Sequence, residues 1–83
     1  MYIEKVIEKF ITEQTEYLTE LYLGIFEDGG KNSKKFDEDI FNELMATAEE
    51  IFGDDLSYSI QEELVRRIIK NGKRIAKQNL QIN

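Results

Sequence analysis

Apolar residues recur along this 83-residue chain at intervals of three and four positions, and the chain contains no proline. That spacing lines apolar side chains along one face of an α-helix, and without proline no residue forces a helix to break. The clearest breaks are Gly29-Gly30 and Gly53, because glycine tolerates the positive φ angles that end helices. The chain has the length of one domain. We therefore predict an all-α fold over residues 1–83, a small antiparallel bundle of three to four helices.

The first 26 residues are open to two interpretations. Apolar residues are in helical phase over 3–11 and again over 18–26. Thr12 and Thr15 lie between the two sets, and a threonine hydroxyl can cap a new helix. We expect two helices that meet near residues 12–15, and a single continuous helix is the alternative.

The next two helices carry recognisable start signals. Asp37 is expected to cap a helix whose apolar stripe extends over 40–52, since acids are favoured in the first turn. Ser59 and Glu62 have the spacing of a capping box, which predicts that the last helix opens there.

The end of that last helix is less clearly marked. Asn71-Gly72 is a point at which it is expected to fray or end, because glycine and asparagine are poor helix formers. Whether the tail, about residues 76–83, is ordered stays open.

Charge is divided unevenly along the chain. Residues 1–63 hold all 17 acids and five bases, a net charge of −12, whereas residues 64–83 hold six bases and no acid. An acidic surface repels nucleic-acid phosphates and attracts basic proteins. We therefore expect a basic protein partner and no direct nucleic-acid contact, although acidity that only keeps a small protein soluble gives the same composition. For the basic segment we expect pairing with the acidic helices.

Histidine and cysteine are both absent. Their absence removes the usual acid–base pairs, thiol nucleophiles and zinc ligands. An EF-hand loop starting at Asp55 fails, because its sixth position is Ile60 rather than glycine and its twelfth is Arg66 rather than glutamate. We therefore expect no enzymatic activity, no cofactor and no metal site.

Nothing in the sequence indicates a membrane. The first ten residues carry acids, unlike a signal peptide, and no apolar run approaches the roughly 18 residues of a membrane span. Because the chain also lacks cysteine, a cytoplasmic location is expected.

One acidic stripe lies on the helix predicted before Gly53. Asp39, Glu43 and Glu50 are spaced by four and seven residues, which places them on one side, away from the apolar stripe. Like charges four residues apart repel by a few tenths of a kcal/mol. That cost suggests that the acids serve a partner, although a solvated helix face would show the same pattern.

A second acidic group surrounds the connection to the last helix. Glu49 and Glu50 end one helix, and Asp54 and Asp55 occupy the turn. Tyr58 follows three residues later, either as an exposed interface anchor or packed across the bundle end. The candidate partner-binding residues are Glu49, Glu50, Asp54, Asp55, Tyr58, Asp39 and Glu43.

From Phe10 onward, the order of features resembles the small helical immunity proteins of the colicin D type, which protect bacteria from a tRNA-cleaving toxin. The similar stretches are "KFITEQTEYLTELYLGIFEDGG", "FDEDIFNELMATAEEIFGDD" and "SIQEELVRRIIK". The resemblance implies a four-helix bundle that binds the toxin's basic nuclease domain and occludes its active site with carboxylates that imitate RNA phosphates. The matching carboxylates are Glu49, Glu50, Asp54 and Asp55, with Asp37, Glu38 and Asp39 at the acidic opening of their helix.

The function expected from charge and resemblance together is toxin immunity, by a monomer or weak homodimer. Two alternatives stay open. One is a phage or mobile-element protein that imitates nucleic acid and inhibits a host complex. The other is a self-associating helical regulator, in which the apolar stripe over 40–52 would remain partly exposed in a monomer.

Overall fold

The structure, a computed structural model, describes residues 2–30 and 33–82. Within them the chain forms three α-helices: α1 is Tyr2–Glu27, α2 is Lys34–Phe52 and α3 is Tyr58–Ile82. A short 3₁₀ turn, Gly53–Asp55, links α2 to α3. The described residues contain no strand, which confirms the all-α prediction. The loop predicted around Gly29-Gly30 lies partly outside the described residues, at positions 31 and 32.

Aromatic contacts give the direction of the helices. The ring of Phe10, early in α1, packs edge to face against the ring of Phe52, at the end of α2. Their ring centres are 5.4 Å apart. The ring centre of Tyr22, late in α1, lies 5.7 Å from the ring centre of Phe36, at the start of α2. Helices α1 and α2 are therefore antiparallel. Helix α3 returns from the end of α2 and so runs parallel to α1.

The core lies along the centre of this three-helix arrangement. Each helix contributes apolar side chains at helical spacing, as the periodicity predicted. The buried apolar residues are Phe10, Leu18, Tyr22, Ile40, Leu44, Ala48, Phe52, Val65, Ile68 and Ala76.

The prediction of two helices within the first 26 residues is wrong. Helix α1 is continuous, and its buried positions Phe10, Leu18 and Tyr22 stay in one helical phase across the threonine-rich segment. The hydroxyl of Thr19 donates to the carbonyl oxygen of Thr15 at 2.7 Å, one turn earlier. A threonine hydroxyl can therefore be satisfied inside a helix as well as at its start.

Two predicted caps are also wrong. Helix α2 is capped by Ser33 instead of Asp37: the Ser33 hydroxyl accepts from the backbone N–H of Phe36 at 3.0 Å. Helix α3 is capped by Ser57 instead of Ser59, since Ser57 accepts from the N–H of Ile60 at 3.3 Å. In both cases an earlier serine satisfies a free amide of the first turn.

Gly53 ends α2, as predicted. Its φ of 49° lies in the left-handed region that favours glycine, and its N–H donates to the carbonyl oxygen of Glu49.

The predicted break at Asn71-Gly72 is absent, because α3 passes through it and continues to Ile82. The helix therefore covers the tail as far as residue 82, and position 83 lies outside the described residues. Gly72 is buried, and a Cβ added there would lie 2.9 Å from the Cβ of Leu18 in α1. Glycine at this position allows the backbones of α1 and α3 to approach closely.

Gly72→Ala should therefore destabilise the protein, even though alanine is the better helix former. We expect the free energy of unfolding to fall by about 1–3 kcal/mol, the usual cost of overpacking a filled core, measured by urea denaturation.

Gly24→Ala is the matched control. Gly24 also lies inside a helix, but a Cβ there would meet nothing within 4 Å, so alanine should stabilise by about 0.5–1 kcal/mol. If both variants were stabilised, the close approach of α1 and α3 would be refuted.

Candidate functional site

Four of the predicted partner-binding carboxylates lie together at one end of the bundle. Glu49 and Glu50 belong to the last turn of α2, Asp54 and Asp55 belong to the 3₁₀ turn, and all four are exposed. We call this group the acidic end. Its members are separated by at most six positions, so their like charges lie close to one another at the surface.

Asp39 and Glu43, the other two predicted acids, are exposed but lie elsewhere on α2. Asp39 precedes Glu50 by 11 residues, which is about 16 Å along a helix. It pairs with Lys35 at 3.4 Å within the same helix. Glu43 lies between them, roughly 10 Å from Glu50. The structure therefore does not bring Asp39 into the acidic end.

Tyr58 is exposed beside the acidic end. It is the first residue of α3, and 62% of its surface is accessible. Its packing across the bundle end, one of the two readings of the sequence, is not seen. The side chain is available for contact with a partner.

Two isoleucines add apolar surface in the same part of the chain. Ile51 and Ile60 both fall at apolar positions of their helices, but they are 45% and 47% exposed. The periodicity identified their helix face correctly. It carries no information about whether a neighbouring helix covers that face at the helix end.

The connection that carries the acids is held by a buried amide. Gln61 is 1% exposed, and its Nε2 donates to the carbonyl oxygens of Gly53 and Leu56, each at 3.0 Å. Two carbonyls of the connection thereby find a donor on α3. Asp54 and Asp55 are therefore displayed on a turn that this amide holds in place. Sequence reasoning missed Gln61, because nothing in its spacing distinguishes it from a surface glutamine.

Asp37, which the resemblance places in the acidic opening of α2, is engaged inside the protein. Its Oδ1 accepts from the Tyr22 hydroxyl at 2.7 Å, and its Oδ2 accepts from Lys73 Nζ at 2.6 Å. These three residues, one from each helix, form what we call the three-helix junction. Burial, the hydrogen bond to Asp37 and the negative charge of Asp37, in that order, raise the pKa of Tyr22 well above its usual range.

The basic residues of α3 pair in two ways. Lys73 reaches an acid of another helix, as the sequence predicted for the basic segment. Arg66 and Arg67 instead pair with acids one turn earlier on α3, at 3.4 and 3.2 Å. Both arginines thus pair within their own helix rather than with the acidic end.

Two kinds of feature are absent from the described ranges 2–30 and 33–82. No three acidic side chains there are grouped so that they could hold a metal ion. No helix in the same ranges has the length and apolar character that crossing a membrane requires.

Comparison of the chain with protein-family models, curated proteins and solved structures found no match.

Gln61→Leu should destabilise the protein, because the carbonyls of Gly53 and Leu56 lose their donor. A buried polar group left without a partner costs about 1–3 kcal/mol, and urea denaturation would measure this loss. Gln78→Leu, an exposed position of the same helix, should change the free energy of unfolding by less than about 0.5 kcal/mol. Equal effects of the two substitutions would show that Gln61 does not hold the connection.

The three-helix junction predicts how stability depends on alkaline pH. The unfolded tyrosine loses its proton above pH about 10, whereas Tyr22 in the folded protein keeps it. The raised pKa of Tyr22 therefore contributes fully to the free energy of unfolding below pH about 10. This contribution is lost as the pH rises towards the raised pKa of the folded state. The slope of that loss is about 1.4 kcal/mol per pH unit.

Tyr22→Phe should be less stable than the natural protein near neutral pH, since it lacks the hydrogen bond to Asp37. Above pH about 10 the two stabilities should converge with that slope, as measured by denaturation at a series of pH values. Tyr17→Phe, at an exposed position of the same helix, controls for the loss of a phenol. A stability difference that stayed constant with pH would contradict the role given to Tyr22.

Proposed function

We propose that the protein binds a basic partner protein through its acidic end and thereby inhibits it, and that the partner is the nuclease domain of a toxin. The observation that carries the proposal is the combination of four exposed carboxylates with exposed apolar side chains around the connection between α2 and α3, which Gln61 holds. The carboxylates are Glu49, Glu50, Asp54 and Asp55, and the apolar side chains are Ile51, Tyr58 and Ile60.

Charge explains how such a surface would find its partner. A nuclease cleft is cationic because it binds the phosphates of a nucleic acid. Carboxylates held on a fixed turn are attracted to the same cleft, and that attraction accelerates association. A protein bound in that cleft blocks access of the nucleic acid, and so it inhibits the nuclease without any chemical reaction.

The apolar side chains explain how the complex would persist. Binding energy at protein interfaces is concentrated in a few residues, often aromatic ones, that become buried on contact. Tyr58 has most of its surface free for such burial, and Ile51 and Ile60 each have about half. A complex held by charges alone would dissociate easily as salt is added, because salt screens exposed charges.

The resemblance to colicin D-type immunity proteins supports a nuclease toxin as the partner, since its carboxylate positions are those of the acidic end. An inhibitor of a host complex that imitates nucleic acid would use the same surface, and the identity of the partner distinguishes the two. The self-associating regulator has less support. Much of the stripe that it would bury between copies is already buried within one chain, at Ile40, Leu44 and Phe52, although Ile51 on the same stripe is exposed.

The test is a pull-down from a lysate of the native cells, eluted with a salt gradient and identified by mass spectrometry. The natural protein should retain a basic nuclease that is released only at high salt and whose cleavage of RNA it inhibits. Neutralising the acidic end should weaken that binding by about tenfold or more, because each exposed charge pair contributes roughly 0.2–1 kcal/mol. The variant is Glu49→Gln, Glu50→Gln, Asp54→Asn and Asp55→Asn combined.

A control of equal charge change keeps the test specific. Glu8→Gln, Glu13→Gln, Glu16→Gln and Glu20→Gln combined neutralise four exposed acids of α1 and should leave partner binding nearly intact. Capture that survives in the acidic-end variant, or recovery of nothing except the protein itself, would refute the proposal.

A further inference from the structure

A groove with a volume of about 1000 Å³ lies between α2 and α3 and is open to solvent. Six basic side chains line it: Lys34, Arg66, Lys70, Lys73, Arg74 and Lys77. The acids among its lining residues are Asp37 and Glu38. The groove shares no residue with the acidic end, and we call it the basic groove.

The groove has a high concentration of basic side chains for a protein whose overall charge is negative. The chain has 11 lysines and arginines and a net charge of −6, yet six of those bases line this one surface. The side chains of Lys34 and Lys70 make no ion pair, hydrogen bond or ring contact with any residue of the described ranges. Like charges held this close destabilise the free protein slightly, and an anionic ligand would relieve that repulsion.

The shape of the groove fits an α-helix. Along α3 its lining residues fall at 66, 69, 70, 73, 74 and 77, which is a single helical face. That face spans 12 residues, from 66 to 77, about 16 Å or roughly three turns. Phe41 from α2 and Ile69 from α3 supply apolar lining between the charged rows. An amphipathic helix laid in such a groove would contact both charged and apolar surface.

Two features argue against other anions. The guanidinium of Arg66 lies 4.5 Å from the centre of the Phe41 ring, so one face of the groove's aromatic ring is already covered, which weakens the case for stacking of nucleic-acid bases. Sites for small ligands enclose most of the ligand's surface, whereas this groove is open.

We propose that the basic groove binds an acidic amphipathic helix of a partner protein. The helix lies between α2 and α3, with its apolar residues against Phe41 and Ile69 and its carboxylates against the lysines and arginines of the two walls. This interaction is independent of the proposed function, because it uses a different surface of opposite charge.

The test uses fluorescence anisotropy with a labelled peptide of about 15 residues, long enough to form a helix. The peptide carries glutamates at helical spacing on one face, with leucines beside them. A second peptide has glutamine in place of every glutamate. The protein variant is Lys34→Gln with Lys70→Gln, which removes one exposed base from each wall. The control, Lys5→Gln with Lys9→Gln, removes two exposed bases of α1 and leaves the same net charge.

The acidic peptide should bind the natural protein and the control variant alike, and more weakly as salt is added. It should bind the groove variant about fivefold more weakly, the effect of losing two exposed charge pairs. The glutamine peptide should bind least. Neutralising the acidic end should leave binding of the acidic peptide intact, so that the failure of one proposal is distinguishable from the failure of the other.

Several results would overturn the inference. They are equal binding by the groove and control variants, equal binding of the two peptides, and no binding of either. A single-stranded RNA of similar length that bound in preference to the peptide would identify the groove as a phosphate site. Self-association that the groove variant abolished, seen by sedimentation, would identify a second copy of the chain as the occupant.

Discussion

The close contact between α1 and α3 at Leu18 and Gly72 is the constraint on which the rest of the arrangement depends. Because Gly72 has no side chain, the two backbones approach closely there. The next residue, Lys73, then reaches the Asp37 carboxylate, which also accepts from Tyr22. Helix α2 meets α1 through whole aromatic rings, as at Phe10, and such rings hold two helices farther apart than glycine does. Helices α1 and α3 are therefore close together, whereas α1 and α2 are farther apart.

This packing converts a division of charge along the sequence into a division in space. The acids of residues 1–63 and the bases of residues 64–83 do not simply neutralise one another across the bundle. Lys73 joins the three-helix junction, Arg66 and Arg67 pair within α3, and much of the remaining basic charge lines the groove. The four carboxylates of the acidic end face solvent with apolar side chains beside them. The protein thus presents two surfaces of opposite charge.

Much of this fold was predictable from the sequence, because helical periodicity and helix-ending glycines are local signals. Gly53 and the exposed acids around it were placed correctly for that reason. The two misplaced caps were decided by an earlier serine, but other features depend on tertiary contacts. The role of Gly72 depends on Leu18, 54 positions earlier, and that of Gln61 depends on which carbonyls the connection leaves without a donor. The exposure of Ile51 depends on which faces other helices cover. Periodicity alone predicts none of these.

The odd number of helices in the described chain has a mechanical consequence. Since α1 and α3 run parallel, Tyr2 lies at the pole of the acidic end, and Ile82 lies at the opposite pole. Tension applied between these two residues would pull α1 and α3 in opposite directions along the bundle axis. The resistance to that shear would come from the interlocked surface at Leu18 and Gly72, while the turn that displays the acids would bear little of the load.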